Sequence, residues 1–389
     1  MPAGAAAPSV EAFIARHWRT PLAAQGPAPA RFSPVEASLA PEACATCHPA
    51  QFADWRTSVH ARAMGPGVAG QLVEMLTSAP ADALGCHTCH APLAEQRPLL
   101  GGREGHAQNP AFDGALRAQG LVCAGCHVRA HERFGPPRRD GSLASGAPRE
   151  SLPHGGVTRT PAFLAAEFCR GCHQFTRDGF ALNGKLLENT YEEWRASRFA
   201  REGVQCQDCH MPDRRHVWRG IHDPEMVRSG LTIAARLDGA GVERDGTVSA
   251  TLRVTSTRVG HAFPTYVTPR VIVRGELVDA GGAAIAGSRM ERIVAREVAL
   301  DLSREIRDTR LLPGRSVELR YRRRVDVDTA RLRFTVIVEP DAFYEKFFET
   351  LLSQGAGTGT AQLREALEDT RRSPFTIFDE SLSLPSRRQ

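Results

Sequence analysis

Every cysteine in this chain stands in one pattern, Cys-x-x-Cys-His, and no other feature limits its fold so tightly. Five copies occur: Cys44-Ala-Thr-Cys47-His48, Cys86-His-Thr-Cys89-His90, Cys123-Ala-Gly-Cys126-His127, Cys169-Arg-Gly-Cys172-His173 and Cys206-Gln-Asp-Cys209-His210. They account for all 10 cysteines. The pattern is the signature of covalent haem attachment. Two thiols add across the vinyl groups on one porphyrin edge, and the histidine turns under the ring to ligate iron from the proximal side. A single Cys-x-x-Cys also suits half a zinc site or a redox dithiol, but neither needs a histidine at a fixed offset. The sequence therefore predicts five covalently attached haems c, with His48, His90, His127, His173 and His210 as proximal ligands.

A formal charge of +5 would on its own suit a nucleic acid or an anionic membrane surface. Each ferric haem, with two propionates and neutral histidine ligands, adds about −1, so five bring the total near zero. No nucleic-acid partner is expected. Lys185 and Lys346 are the only lysines among the 49 basic residues. The arginines suit bidentate pairing with carboxylates such as propionates, although a GC-rich genome would leave the same bias.

At 389 residues the chain is long enough for two domains, and its character changes near residue 230. Residues 1–43 read as an Ala/Pro-rich arm with a short helix at 10–18. Residues 44–229 hold every motif, much Gly and Pro, and few apolar runs, so short helices packed on porphyrin faces are expected. Within them, 134–160 reads as a long loop. Residues 230–345 carry alternating strand-like segments at 231–237, 247–255, 270–278, 316–322 and 331–338, with turn residues between them. This spacing predicts an antiparallel, Ig-like β-sandwich. Residues 346–389 read as a helical tail, its two helices lying at 341–354 and 360–371. The fold class expected is thus α+β and multidomain: a mainly helical, loop-rich haem domain followed by a β-sandwich.

One internal repeat is visible. Phe52-Ala-Asp-Trp55-Arg56-Thr-Ser58 matches Tyr191-Glu-Glu-Trp194-Arg195-Ala-Ser197, and Ala61-Arg62 matches Ala200-Arg201. The spacing is helical, and a haem-packing helix used twice would explain it.

Whether such a chain is a wire or an enzyme depends on the sixth iron ligands, because bis-His ligation leaves no place for a substrate. Of 14 histidines, nine remain after the proximal set. His60 follows the Trp55 helix. His131 lies four residues after His127, on the same face if helical, and could serve a neighbouring haem. His154 lies in the long loop, His216 and His222 follow the last motif, and His261 sits between strands in Gly260-His-Ala-Phe-Pro-Thr-Tyr266. These six are the distal candidates. His17, His87 and His106 read as surface or hydrogen-bonded residues.

The Cys44-to-His60 segment, with its Trp-x-x-Ser-x-His helix, resembles the cytochrome c554-related multihaem family. The Cys206-to-Pro212 stretch is similar to the last motif of that group and of pentahaem nitrite reductases, and Gly260-His261-Ala-Phe-Pro-Thr is similar to a haem-ligating motif of relatives with an appended β-sandwich. The resemblance implies closely packed haems, respiratory electron transfer, and redox partners such as a quinol dehydrogenase or another cytochrome. Some relatives form extracellular filaments or reduce nitrogen or sulfur oxyanions. A subunit of a filament, and an oxidoreductase with one open haem acting on nitrite, hydroxylamine or a related oxyanion, are therefore the alternatives, and a homo-oligomer is compatible with either. The nitrite reductases use a Cys-x-x-Cys-Lys haem, which this chain lacks, and the cysteine count excludes an octahaem arrangement. Haem attachment occurs outside the cytoplasm, so a periplasmic or extracellular address is expected. Residues 1–20 show no signal-peptide pattern, so export, and any membrane tether, would rest on sequence preceding the printed chain.

Overall fold

The computed structural model describes residues 9–102, 105–144, 147–324 and 331–384. The chain forms two compact units, divided by more than one cut. The first comprises Met1–His173, Val204–Trp218 and Leu352–Ala366, and the second Gln174–Gly203, Arg219–Leu351 and Leu367–Gln389. All five motifs lie in the first unit. Residues 174–203, expected within the haem-bearing stretch, group with the strands.

Short helices dominate the first unit. Helix α1 (Val10–His17) is capped by Ser9, whose Oγ accepts from Ala12 N at 3.2 Å. Helices α2 (Pro49–Trp55), α3 (Pro66–Ser78) and α4 (Pro80–His90) each start on a proline, where the missing N–H was unpaired in any case and φ is preset. The second motif ends α4, while the third and fifth form their own helical turns, Cys123–His127 and Cys206–His210. In the first and fourth, His48 N donates to Cys44 O at 2.8 Å and His173 N to Cys169 O at 3.0 Å. A helical turn sets residues three apart on one face, so both thiols of a motif face the same way.

The structure corrects the helical reading of 127–131. The helix stops at His127, and Val128–Arg129 pairs with Glu132–Gly135 as a small hairpin. Its turn is made by Ala130 and His131, with φ of 47° and 59°. His127 and His131 therefore do not share a helix face.

Apolar packing in this unit is thin. Its buried clusters are Leu22, Trp55, Leu93, Leu116, Val122, Ala124 and Val128; Phe13, Ile14, Ala162 and Phe168; and Met64, Leu72, Ala83 and Ala91. Among the described residues, no helix is long and apolar enough to cross a membrane.

The second unit begins with a hairpin and helix α5 (Thr190–Arg195). Its strands are β1 (Leu231–Val242), β2 (Thr247–Ser256), β3 (Arg270–Val278), β4 (Met290–Val294), β5 (Arg296–Val298), β6 (Glu305–Asp308), β7 (Ser316–Arg324), β8 (Arg331–Glu339) and β9 (Phe375–Ser383). One antiparallel sheet has the order β7-β2-β1 and a second the order β4-β3-β8-β9, while β5 and β6 form a separate hairpin. Alternate residues of both sheets feed one core. Val248, Ala250, Leu252 and Val254 of β2 and Leu319 and Tyr321 of β7 pack with Val271 and Val273 of β3 and Leu332, Phe334, Val336 and Val338 of β8.

All five expected strands are present, and helices α6 (Ala342–Gln354) and α7 (Thr360–Arg372) lie where the sequence placed them. The tail is not wholly helical, however. Ser373-Pro374 ends α7, and the chain returns as β9 to pair with β8, Val336 opposite Phe378. The sheet edge wins over tail propensity because Phe375-Thr-Ile-Phe378 alternates, and Ile377 enters the core.

The second unit also buries charge. Arg296 is 1% exposed. Its guanidinium bonds Glu305 at 2.9 Å and the carbonyls of Leu186, Lys185 and Leu182 at 2.7, 2.9 and 3.2 Å. Lys185 bridges Glu305 and Asp308, 2.8 Å from each. It serves this ion network.

Candidate functional site

A histidine binds iron through a ring nitrogen that carries a lone pair, and the hydrogen bond made by the other nitrogen decides which one that is. Among the proximal residues, His90 donates from Nδ1 to Ala63 O at 2.6 Å and His127 from Nδ1 to Phe134 O at 2.8 Å. Each therefore presents Nε2 as a ligand.

The distal candidates divide by the same test. His216 donates from Nδ1 to Arg214 O (3.1 Å), His154 from Nδ1 to Gly156 O (3.2 Å) and His261 from Nδ1 to Ala262 O (2.9 Å). All three have the ligating tautomer. His60 is half-buried, and burial, with His173 and His210 beside it, holds its pKa down at about 3. Its ring is neutral at any physiological pH. His131 instead donates from Nε2 to Gly26 O at 2.9 Å, and His222 uses Nε2 on the Asp341 carboxylate at 3.0 Å. Their hydrogen bonds commit the nitrogen that the others leave to iron.

Two ring pairs test whether the first unit fits haem. Imidazoles on opposite faces of one iron would have centroids about 6.2 Å apart, from about 2 Å per metal–nitrogen bond and about 1.1 Å from nitrogen to ring centre. The His60 and His173 centroids are 6.3 Å apart, and those of His127 and His216 are 6.2 Å apart. Trp218 meets both distal rings edge-on, at 4.7 Å from His60 and 5.2 Å from His216. His127 is likewise held neutral, burial pushing it to about 4.

Buried cations point the same way. Burial pushes the Arg129 guanidinium down to about 10, and it lowers Arg97 and Arg117 as well. Arg129 Nη2 and Arg97 Nε are buried without a hydrogen-bond partner among the described residues. Buried arginines of the second unit face carboxylates: Arg296 meets Glu305, and Arg310 meets Glu193 and Asp308. The first unit's cations suit carboxylates carried by a cofactor, such as propionates. The residues fit haem.

Among the described residues no cysteine is in a disulfide, and different motifs meet through their cysteines. Cys44 hydrogen-bonds Cys123, Cys89 bonds Cys172, and Cys169 bonds Cys206. Cys126 lies within electrostatic reach of Cys169 and Cys172. Among the described residues, no group of three or more His, Cys, Asp or Glu side chains could hold a bare metal ion.

Residues 43–109 match the family described as cytochrome c554 and c-prime. This match and the five motifs agree in pointing to a multihaem c-type cytochrome. The fold of the chain is similar to that of a penta-haem cytochrome c552 from Thermochromatium tepidum, at a TM-score of 0.63, 18% identity, and coverage of 90% of this chain and 100% of that one. A structure described as an ApaA protein from Bordetella pertussis, 13% identical, matches 40% of this chain and 92% of its own at a TM-score of 0.19, too low to bear on the fold. No curated protein matches the sequence.

One histidine that sequence reasoning set aside shows the same arrangement. His87 is fully buried, donates from Nδ1 to Ala83 O at 2.7 Å, and has Nε2 buried without a partner among the described residues. That is the ligating arrangement, hidden in sequence because His87 falls inside a motif. His17 fits its expected structural role, with Nε2 donating to Cys126 O at 2.8 Å. Trp218 could have been suspected from its place two residues after His216.

Proposed function

We propose that this cytochrome is a pentahaem electron carrier with mostly bis-His haems, serving respiratory electron transfer after export to the periplasm or cell exterior. The observation that carries the reading is the pair of histidine separations, His60–His173 and His127–His216. Two ligands per iron close these centres to substrates and favour outer-sphere transfer. The tautomers and burial support His60, His87, His154, His216 and His261 as the distal set, in place of His131 and His222. The ten motif cysteines would form the thioethers, and the five motif histidines would be the proximal ligands.

Haem iron supplies one-electron chemistry at each centre. The chain's own part is to hold the ligands neutral and oriented, and to set the order of centres. The thiol contacts link motif one to three, two to four and four to five, and Cys126 brings three beside four. They support a branched route with the fourth motif at the junction. Redox partner proteins, such as a quinol dehydrogenase or another cytochrome, would dock where one of these centres nears the surface. Association into homo-oligomers is compatible with the reading.

We also read the second unit as an Ig-like sandwich. With the β5–β6 hairpin set aside, strands one, two and five share one sheet and three, four, six and seven the other. This is the A-B-E and C′-C-F-G partition of such folds.

The test is a count and a titration. Intact-protein mass should exceed the polypeptide by five haems, and fully reduced protein should take up little CO. Fewer haems would refute the count. One full equivalent of CO would replace the carrier with an oxidoreductase having an open haem.

A further inference from the structure

Three of the distal candidates outside α-helices, His154, His216 and His261, share one feature: a backbone N–H at or next to the ligand is held by a carboxylate. His216 N donates to Asp54 Oδ2 at 3.1 Å. Ala262 N, directly after His261, donates to Glu193 Oε2 at 3.1 Å. His154 N donates to Glu36 Oε1 at 2.7 Å.

The first two carboxylates are the same position of the sequence repeat. Asp54 precedes Trp55 and Glu193 precedes Trp194, each in the last turn of its helix, α2 in the first unit and α5 in the second. Each is also gripped by an arginine. Arg215 reaches Asp54 at 2.5 and 3.2 Å, and Arg310 reaches Glu193 at 2.9 Å. The surroundings differ: Arg215 holds the Asp54 carboxyl below its ordinary value, whereas burial pushes that of Glu193 up against the pull of Arg310. The shared element is geometric. A carboxylate on the helix that bears the buried Trp is aimed at the peptide of a ligand loop.

We propose that Asp54 and Glu193 are positioning residues for axial ligation: the repeated Trp helix is a ligand clamp whose carboxylate holds the loop presenting a distal histidine, with Glu36 doing the same for His154. A hydrogen bond from a loop N–H to a carboxylate fixes the loop backbone, so less of the ligand's freedom remains to be lost when the iron bond forms. The inference rests on the reading of His216 and His261 as distal ligands.

The test compares Asp54→Ala, Asp54→Asn and His216→Ala in the full holoprotein by CO titration of the reduced form and by the ferric spin-state spectrum. His216→Ala should make one haem CO-reactive. Asp54→Ala should raise the apparent CO affinity of that same haem about ten- to a hundred-fold, the worth of one hydrogen bond to a charged group. Added imidazole should reverse the rise. Asp54→Asn keeps an oxygen for the His216 N–H and should stay close to wild type. If His216→Ala opens a haem while Asp54→Ala leaves CO affinity unchanged and lowers only the melting temperature, the clamp is wrong and Asp54 is merely structural. If His216→Ala opens no haem, the ligand reading itself falls. Should Asp54→Ala not yield folded holoprotein, Glu193→Ala against His261→Ala makes the same comparison in the second copy.

Discussion

Replacing His60 with alanine removes an entire imidazole from a half-buried site and leaves a methyl group. The wild-type ring lies 6.3 Å from that of His173, and its pKa of about 3 keeps it neutral throughout the range in which the protein would be studied. If His60 is the sixth ligand of the His173 haem, His60→Ala exposes one iron of five. A fifth of the Soret absorbance of the reduced protein should then shift on adding CO, and the ferric protein should gain one high-spin signal. Truncating a packed ring also costs about 3 kcal/mol of stability. Imidazole at millimolar concentration should re-enter the space, suppress CO uptake and return the spectrum to low spin. The reasoning fails if His60→Ala keeps five haems and still takes up no CO. It fails equally if CO enters but imidazole cannot compete, because that pattern means general loosening and not loss of one ligand.

Arg296→Ala takes the guanidinium from three carbonyls while Glu305 keeps Lys185, and should cost about 1–3 kcal/mol, lowering the melting temperature by roughly 5 °C; an unchanged melt would show that the network contributes nothing. His87→Ala should open a haem to CO, whereas His17→Ala should not, since its Nε2 is spent on Cys126 O; the reverse result in CO titrations would invert the tautomer argument. The full chain produced without haem attachment should keep the β signal of the second unit in far-UV circular dichroism and lose the protected helical amides of the first. Protection of α2 to α4 in hydrogen exchange of that apo chain would show that the first unit needs no cofactor.

What the sequence discloses depends on how local each feature is. The motifs are five-residue units that fold as one helical turn, so the cysteines and proximal histidines are legible directly. The five central strands are equally plain, because a two-residue alternation survives in any context. β9 is different. Its pairing with β8 joins residues 375–383 to residues 331–339 across two helices, and its Phe375-Thr-Ile-Phe378 stretch is too short a signal to stand out from a tail. The distal histidines are harder still. Their role depends on which ring nitrogen a distant or neighbouring carbonyl takes, as with His131 on Gly26 and His87 on Ala83, and a histidine looks the same in sequence either way.

The repeat shows what such reading can miss even when the pattern is noticed. Its Trp and Ser residues are buried in both copies: Trp55 and Trp194, and Ser58 and Ser197. Yet the acidic residue before each Trp is the one that reaches a ligand loop, and in sequence it passes for ordinary helix polarity. A physical reason for the arrangement follows from where the ligands stand. His87 lies on α4, whose backbone is already fixed by its own hydrogen bonds, and needs no further tether. His154 sits at a left-handed φ of 42° in a single 3-10 turn, Pro153–Gly155, and His216 and His261 are outside helices and strands. A loop gives up more freedom than a helix when its side chain binds iron. Carboxylates at Glu36, Asp54 and Glu193 stand beside three of the ligands outside α-helices, while His60, in the turns after α2, is held through its carbonyl, which accepts from Ala63 N at 3.2 Å and Leu121 N at 3.0 Å.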